Sequence, residues 1–195
     1  TTLFRSHPDT YTLMLELMKQ YGKPVINDEY QYEGNLQDDW GNSSPELVVE
    51  RHWKSLMAGG YATHGEAFVR DGNKKDIFWS YGGTMTGESA SRLKYMKEIA
   101  ESLPLDEMER QYINTDGSHY YSLAKGNDLL LMFFLHDMPG KFPWLGPWDQ
   151  KEDKTCYRAT LFDIWNCRVL ETIEVDRFHR FPMKAFTVLK LERLA

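Results

Sequence analysis

The sequence predicts a parallel α/β region followed by a smaller antiparallel β region, on three observations. Up to residue 104, amphipathic helical stretches alternate with short apolar runs. From residue 105 on, the signals become short strands separated by turns. Pro104 stands where the texture changes, so residues 1–104 and 105–195 are expected as two domains.

Ser6-His7-Pro8-Asp9 supplies start signals for a helix from about Asp9 to Tyr21, whose Met14, Leu17, Met18 and Tyr21 recur along one face. Gly22 ends it, and Val25-Ile26-Asn27 reads as a buried strand. After a polar loop, Ser43-Ser44-Pro45-Glu46 announces a second helix: a capping serine, proline in the first turn, and an acid where the helix dipole favours one. It is expected to run to Ala58, packing through Val49, Trp53, Leu56 and Met57, with Gly59-Gly60 as the stop. Tyr61 to His64 is the next strand. A loop of about twenty residues follows, long enough to suggest function. Ser89 opens a third helix to about Ser102, with Leu93, Met96, Ala100 and Leu103 inward.

In the second half, Tyr120 to Leu123 and Leu129 to Leu135 read as strands, with Lys125-Gly126-Asn127-Asp128 as the hairpin turn between them. Cys156 to Trp165 and Arg168 to Val175 form a second hairpin, and Ala185 to Leu191 a last strand. The expectation is a small antiparallel β-sandwich.

Composition narrows the function. A net charge of −6 and scattered Lys and Arg exclude a nucleic-acid binder. No run of 18 apolar residues spans a membrane. Two cysteines, Cys156 and Cys167, make neither a disulfide scaffold nor a zinc site and read as buried thiols. Aromatic residues reach 14%, with six Trp and eleven Tyr, which suits stacking on the C–H face of a sugar and equally suits ordinary packing. A complete (β/α)₈ barrel takes about 250 residues. Two parallel strands and three helices cannot close one, so the first region is either a small fold of its own or part of a longer chain. The start without Met favours the latter.

Candidate chemistry concentrates at strand ends, where parallel α/β proteins build their sites. Period-2 alternation groups Val25, Asn27 and Glu29, and likewise Ala62, His64 and Glu66. Two carboxylates flanked by Tyr30, Tyr32 and His64 would make an acidic, aromatic cleft. The structural alternatives stay open: Glu29 or Glu33 as solvated loop acids, Glu66 as a hydrogen-bond anchor for a neighbouring loop, His64 as a packed histidine. No His/Cys/Asp spacing demands a metal, no glycine-rich phosphate loop implies a cofactor, and a serine nucleophile elbow is absent.

Lys23 to Glu29 with Tyr32-Glu33-Gly34-Asn35 resembles the seventh barrel strand of retaining glycoside hydrolases of the cellulase-like clan, in an endoglucanase- or apiosidase-like branch. Trp40-Gly41-Asn42, Gly59 to Glu66, Trp79 to Gly83 and Gly87 to Ser89 match that branch's later segments. The resemblance implies the last two strands and three helices of a (β/α)₈ barrel, then a C-terminal β domain. It implies that Glu29 is the nucleophile of a double displacement, with Tyr30, Tyr32, His64, Glu66 and Trp79 binding an oligo- or polysaccharide. The acid/base belongs to the end of the fourth strand, which this chain lacks, so the N-terminal remainder of the same protein is an expected partner and the chain alone should be inactive. The competing expectation is a non-catalytic carbohydrate-binding or structural module built on Phe142, Trp144 and Trp148. The sequence indicates no cellular location.

Overall fold

The computed structural model describes residues 2–4, 10–69, 85–110, 120–137, 156–176, 179, 181 and 184–194. Two compact units divide the chain, Thr1–Lys97 and Glu98–Ala195.

In the first unit, β1 (Thr2–Phe4), α1 (Thr10–Tyr21), β2 (Ile26–Glu29), α2 (Pro45–Ala58) and β4 (Tyr61–Ala62) follow one another as two consecutive βαβ units. The three strands form one parallel sheet in the order β1-β2-β4. The sequence reading expected two parallel strands; β1 is the third, missed because three residues are too few for a periodicity to register. A second, two-stranded parallel sheet pairs β3 (Glu33–Gly34) with β5 (Glu66–Ala67). The expected 61–64 strand is shorter: its pairing with β2 stops at Ala62.

Capping signals set the helix limits. At α2, the Ser44 side chain accepts a hydrogen bond from Leu47 N at 3.3 Å, Pro45 opens the first turn, and Gly59 closes the helix at φ 78°. The buried face of α2 is wider than the predicted stripe and includes Val48, His52 and Ser55, whereas Leu56 is only half-buried. Met14 of α1, Val25 and Ala58 of α2 make a small core, so Val25 faces the helices. The third helix, α3 (Ser89–Glu101), buries Ile99, while the predicted positions Leu93, Met96, Ala100 and Leu103 are half-buried.

The second unit is built on one six-stranded antiparallel sheet: β6 (Glu109–Arg110), β7 (Tyr120–Lys125), β8 (Leu129–Phe134), β9 (Tyr157–Asp163), β10 (Arg168–Val175) and β11 (Thr187–Arg193), in the order β10-β9-β11-β8-β7-β6. Among the described residues this is a single sheet, where two facing sheets were expected. Every residue of β8 is buried, as a central strand covered on both faces requires, and one face packs Leu130, Met132 and Phe134 with Leu161, Leu189 and Leu191. Neither cysteine forms a disulfide; Cys156 is exposed and Cys167 half-buried, at φ 50° in the β9–β10 turn. The expectation of buried thiols fails because both flank β-hairpin strands rather than lie within them.

Candidate functional site

Glu29 is the last residue of β2, at the carboxyl end of a parallel strand. Its orientation does not follow from simple alternation. β1 and β2 pair Thr2 with Ile26 and Phe4 with Glu29, so two steps on one strand oppose three on the other. Such a bulge breaks the period of two and re-aims the side chains after it. Val25 and Asn27 are buried, and the Asn27 side chain accepts from Glu29 N at 3.3 Å. Glu29 itself is exposed, and its carboxylate has no hydrogen-bond or ion-pair partner among the described residues.

That carboxylate borders an open hollow of roughly 590 Å³, lined among the described residues by Glu29, Tyr32, Trp40, His64 and Gly65. The volume lies within the usual range for small-ligand sites. A single 3₁₀ turn, Asp39–Gly41, carries Trp40 back over the strand end, fixed by a 2.7 Å bond from Tyr32 N to Trp40 O. The two rings meet edge to face, with centroids 6.0 Å apart at 90°. Gly65 lets the Tyr32 ring lie close: a Cβ there would come 2.7 Å from the ring. Burial first, and then the carboxylates of Glu29 and Asp28, raise the Tyr32 phenol above its ordinary value, so it remains a neutral donor.

His64 is half-buried on the hollow's wall, with Nε2 2.9 Å from Ser89 Oγ. Burial lowers its pKa against the pull of the Glu66 and Glu33 carboxylates. Behind it, the His52 ring nitrogens face Val48 O at 2.8 Å and Thr63 O at 3.1 Å, and the neutral ring can donate to one of the two. Burial outweighs those carbonyls and lowers its pKa to about 4.

Two residues expected in the cleft are not there. Tyr30 is 2% exposed, and its hydroxyl bonds Ser55 on α2 at 2.5 Å. Glu66 is 1% exposed, and its Oε2 accepts from Thr86 N at 2.9 Å and Gly87 N at 3.1 Å. It is the loop anchor that was the open alternative for this residue. Glu33, expected as a solvated loop acid, is also buried. Its Oε1 accepts from Glu88 N at 2.6 Å and its Oε2 from Ser89 N at 2.8 Å and from Ser89 Oγ. Glu33, Ser89 and His64 are the residue types of a hydrolytic triad, but the serine is fully buried and donates to the carboxylate instead of meeting substrate. Glu33, His64 and Glu66 bring one ligand atom each within 4.8 Å of one another, which is the geometry from which a metal ion could be held. Trp79, Phe142, Trp144 and Trp148 lie outside the described residues. Sequence reasoning missed Trp40 and Gly65 as lining residues; the matched Trp40-Gly41-Asn42 segment was the available signal.

No protein-family model matches the chain, and no curated protein matches it. Among solved structures, it is similar to a presumed glycoside hydrolase from Bacteroides vulgatus ATCC 8482, with a TM-score of 0.70, 26% identity and 94% of this chain covered. The chain spans about two fifths of that protein's length, 39%. Across both units, then, the fold is glycoside hydrolase-like.

Proposed function

We propose that this chain is the C-terminal portion of a retaining glycoside hydrolase, with residues 1–104 closing a (β/α)₈ barrel and residues 105–195 forming its β domain. The observation that carries the reading is Glu29 at the carboxyl end of a parallel strand, its carboxylate unpaired among the described residues, lining a sugar-sized hollow with Tyr32 and Trp40. The 39% coverage of the Bacteroides protein supports a missing remainder. So does the exposed apolar pair Ile26, 44%, and Tyr61, 63%, side by side on an open three-stranded sheet.

In this reading the Glu29 carboxylate attacks the anomeric carbon of an oligo- or polysaccharide, and the glycosidic C–O bond breaks. A second carboxylic acid, in the N-terminal remainder and about 5–5.5 Å away, protonates the departing oxygen. The same group then takes a proton from water, which displaces Glu29 from the glycosyl ester. Tyr32 and Trp40 offer ring faces to the sugar, and the Tyr32 hydroxyl donates to its oxygens or to Glu29. His64 orients the substrate; Tyr30 and Glu66 support the wall from behind.

The test compares aryl glycoside hydrolysis by the 195-residue chain with that by the protein extended through the preceding barrel units. The chain alone should show no turnover, since a general acid contributes about 10²–10⁴-fold. The extended enzyme should turn over and lose activity in Glu29→Gln. Turnover by the chain alone would refute the assignment of the acid/base to the remainder.

A further inference from the structure

We propose that Glu33, His64 and Glu66 bind one divalent first-row metal ion, of the zinc or manganese class, as a structural site that locks the start of α3 to the β3–β5 pair. The inference is independent of the hydrolase reading.

The starting point is a pairing that should not be favourable. Glu33 and Glu66 are register partners across the β3–β5 ladder, one 3% and the other 1% exposed. Like charges set directly opposite on a ladder repel, and burial strengthens the repulsion. Backbone N–H groups answer part of it: those of Thr86 and Gly87 reach Glu66, and those of Glu88 and Ser89 reach Glu33. These four consecutive donors tie the lead-in of α3 to both acids, but they carry only partial charge. No lysine or arginine among the described residues forms an ion pair with either acid.

One atom is left over. Glu66 Oε1 is buried and has no hydrogen-bond partner among the described residues. An orphaned carboxylate oxygen in the interior is costly unless something positive meets it. Glu33, His64 and Glu66 each offer one ligand atom, all within 4.8 Å of one another. Ligands of four-coordinate zinc lie roughly 3.4 Å apart, so small side-chain rotations would close the set around an ion. Two carboxylates with one imidazole suit zinc or manganese better than magnesium, which prefers oxygen and water. A doubly charged ion would cancel both buried charges. The backbone N–H donors on the carboxylates would then serve as the outer hydrogen bonds that orient metal ligands. Nothing in this requires catalysis by the ion.

The protein, stripped with a chelator and returned to pH 7.5, would be titrated calorimetrically with Zn²⁺ and separately with Mn²⁺, and melted with and without each. The expected result is one equivalent bound per chain by at least one of the two ions, with a higher melting temperature. Glu66→Gln keeps an oxygen for the Thr86 and Gly87 donors and should bind at least tenfold more weakly. His64→Gln, which leaves both acids in place, should also weaken binding at least tenfold and guards against misfolding of the first variant. Absence of binding by the folded, stripped protein would overturn the proposal. So would binding of equal strength in both variants, which would locate the ion at other histidines. A Glu66→Gln protein more stable than the stripped wild type, with no response to either ion, would mean that a proton fills the place and would equally overturn it.

Discussion

Replacing Glu33 by glutamine tests whether this acid, unremarkable in sequence, holds α3 in place. The substitution preserves shape but turns one of two acceptor oxygens into an NH₂ group. Glu88 N bonds one oxygen, and Ser89 N and Oγ bond the other, so neither orientation of the amide can satisfy all three donors. If the NH₂ faces Glu88 N, that donor is stranded; if it faces Ser89, the Ser89 N donor is stranded, while the Ser89 hydroxyl can turn to accept from the amide. One charge-assisted hydrogen bond is worth about 1.5–3 kcal/mol, and a stranded buried donor costs about 1–3 kcal/mol. The expected loss is therefore about 3 kcal/mol, or roughly 6–12 °C in melting temperature for a chain of this size. Urea titration gives the global value, and amide exchange at Glu88 and Ser89 gives the local one, because the first turn of α3 should open before the rest. Glu46→Gln is the control: Glu46 is exposed in the first turn of α2 and should cost no more than about 1 kcal/mol. A Glu33→Gln protein within about 0.5 kcal/mol of wild type, with unchanged exchange at Ser89, would refute the tether.

Gly87→Ala should damage the same joint from the other side, since its Cβ would stand 2.6 Å from Glu33 Cδ and Oε2. A loss of about 1–3 kcal/mol is expected, largely abolished when Glu33 is also truncated to alanine, and additive effects in denaturant titration would contradict the clash. Gly65→Ala would push on the Tyr32 ring at 2.7 Å and reshape the hollow. In the extended enzyme this should lower kcat/KM roughly tenfold with little change in the melting temperature; a stability loss with unaltered kinetics would remove Gly65 from the site. His52, with a pKa lowered to about 4 by burial, is taken up neutral on folding. Because the unfolded chain accepts the proton near pH 6.5, this residue's contribution is fully present above neutral pH. It is lost as pH falls from about 6.5 toward 4. Between pH 7.5 and 4.5 the wild type should lose about 2–3 kcal/mol more than His52→Gln, and equal losses would show that His52 is not buried neutral.

The parts of the fold written in local chemistry were legible. Ser44, Pro45 and Gly59 mark the limits of α2 because capping depends on a few adjacent residues. The β7–β8 and β9–β10 hairpins followed from strand-forming runs and the turn residues between them. What escaped was set by partners distant in sequence. β1 exists through its ladder to β2, and β3 and β5 are two residues each, set by their pairing with each other. Where two sheets were expected, β11 instead enters between β8 and β9 and extends one. At the site, Glu29 was found as a strand-end acid, but the bulge that frees it from the buried side of β2 depends on β1. In sequence Glu33 reads as a loop acid and Glu66 as a strand-end acid. Their burial depends on four N–H groups 20 or more residues away in the chain, which no periodicity reveals.

The most direct measurement is to trap the nucleophile. The extended enzyme, inactivated with a 2-deoxy-2-fluoro aryl glycoside of a sugar it hydrolyses, would be digested and its labelled peptide sequenced by mass spectrometry. The account predicts a glycosyl ester on the Glu29 side chain. A label on another carboxylate, or products released with inverted anomeric configuration, would contradict it.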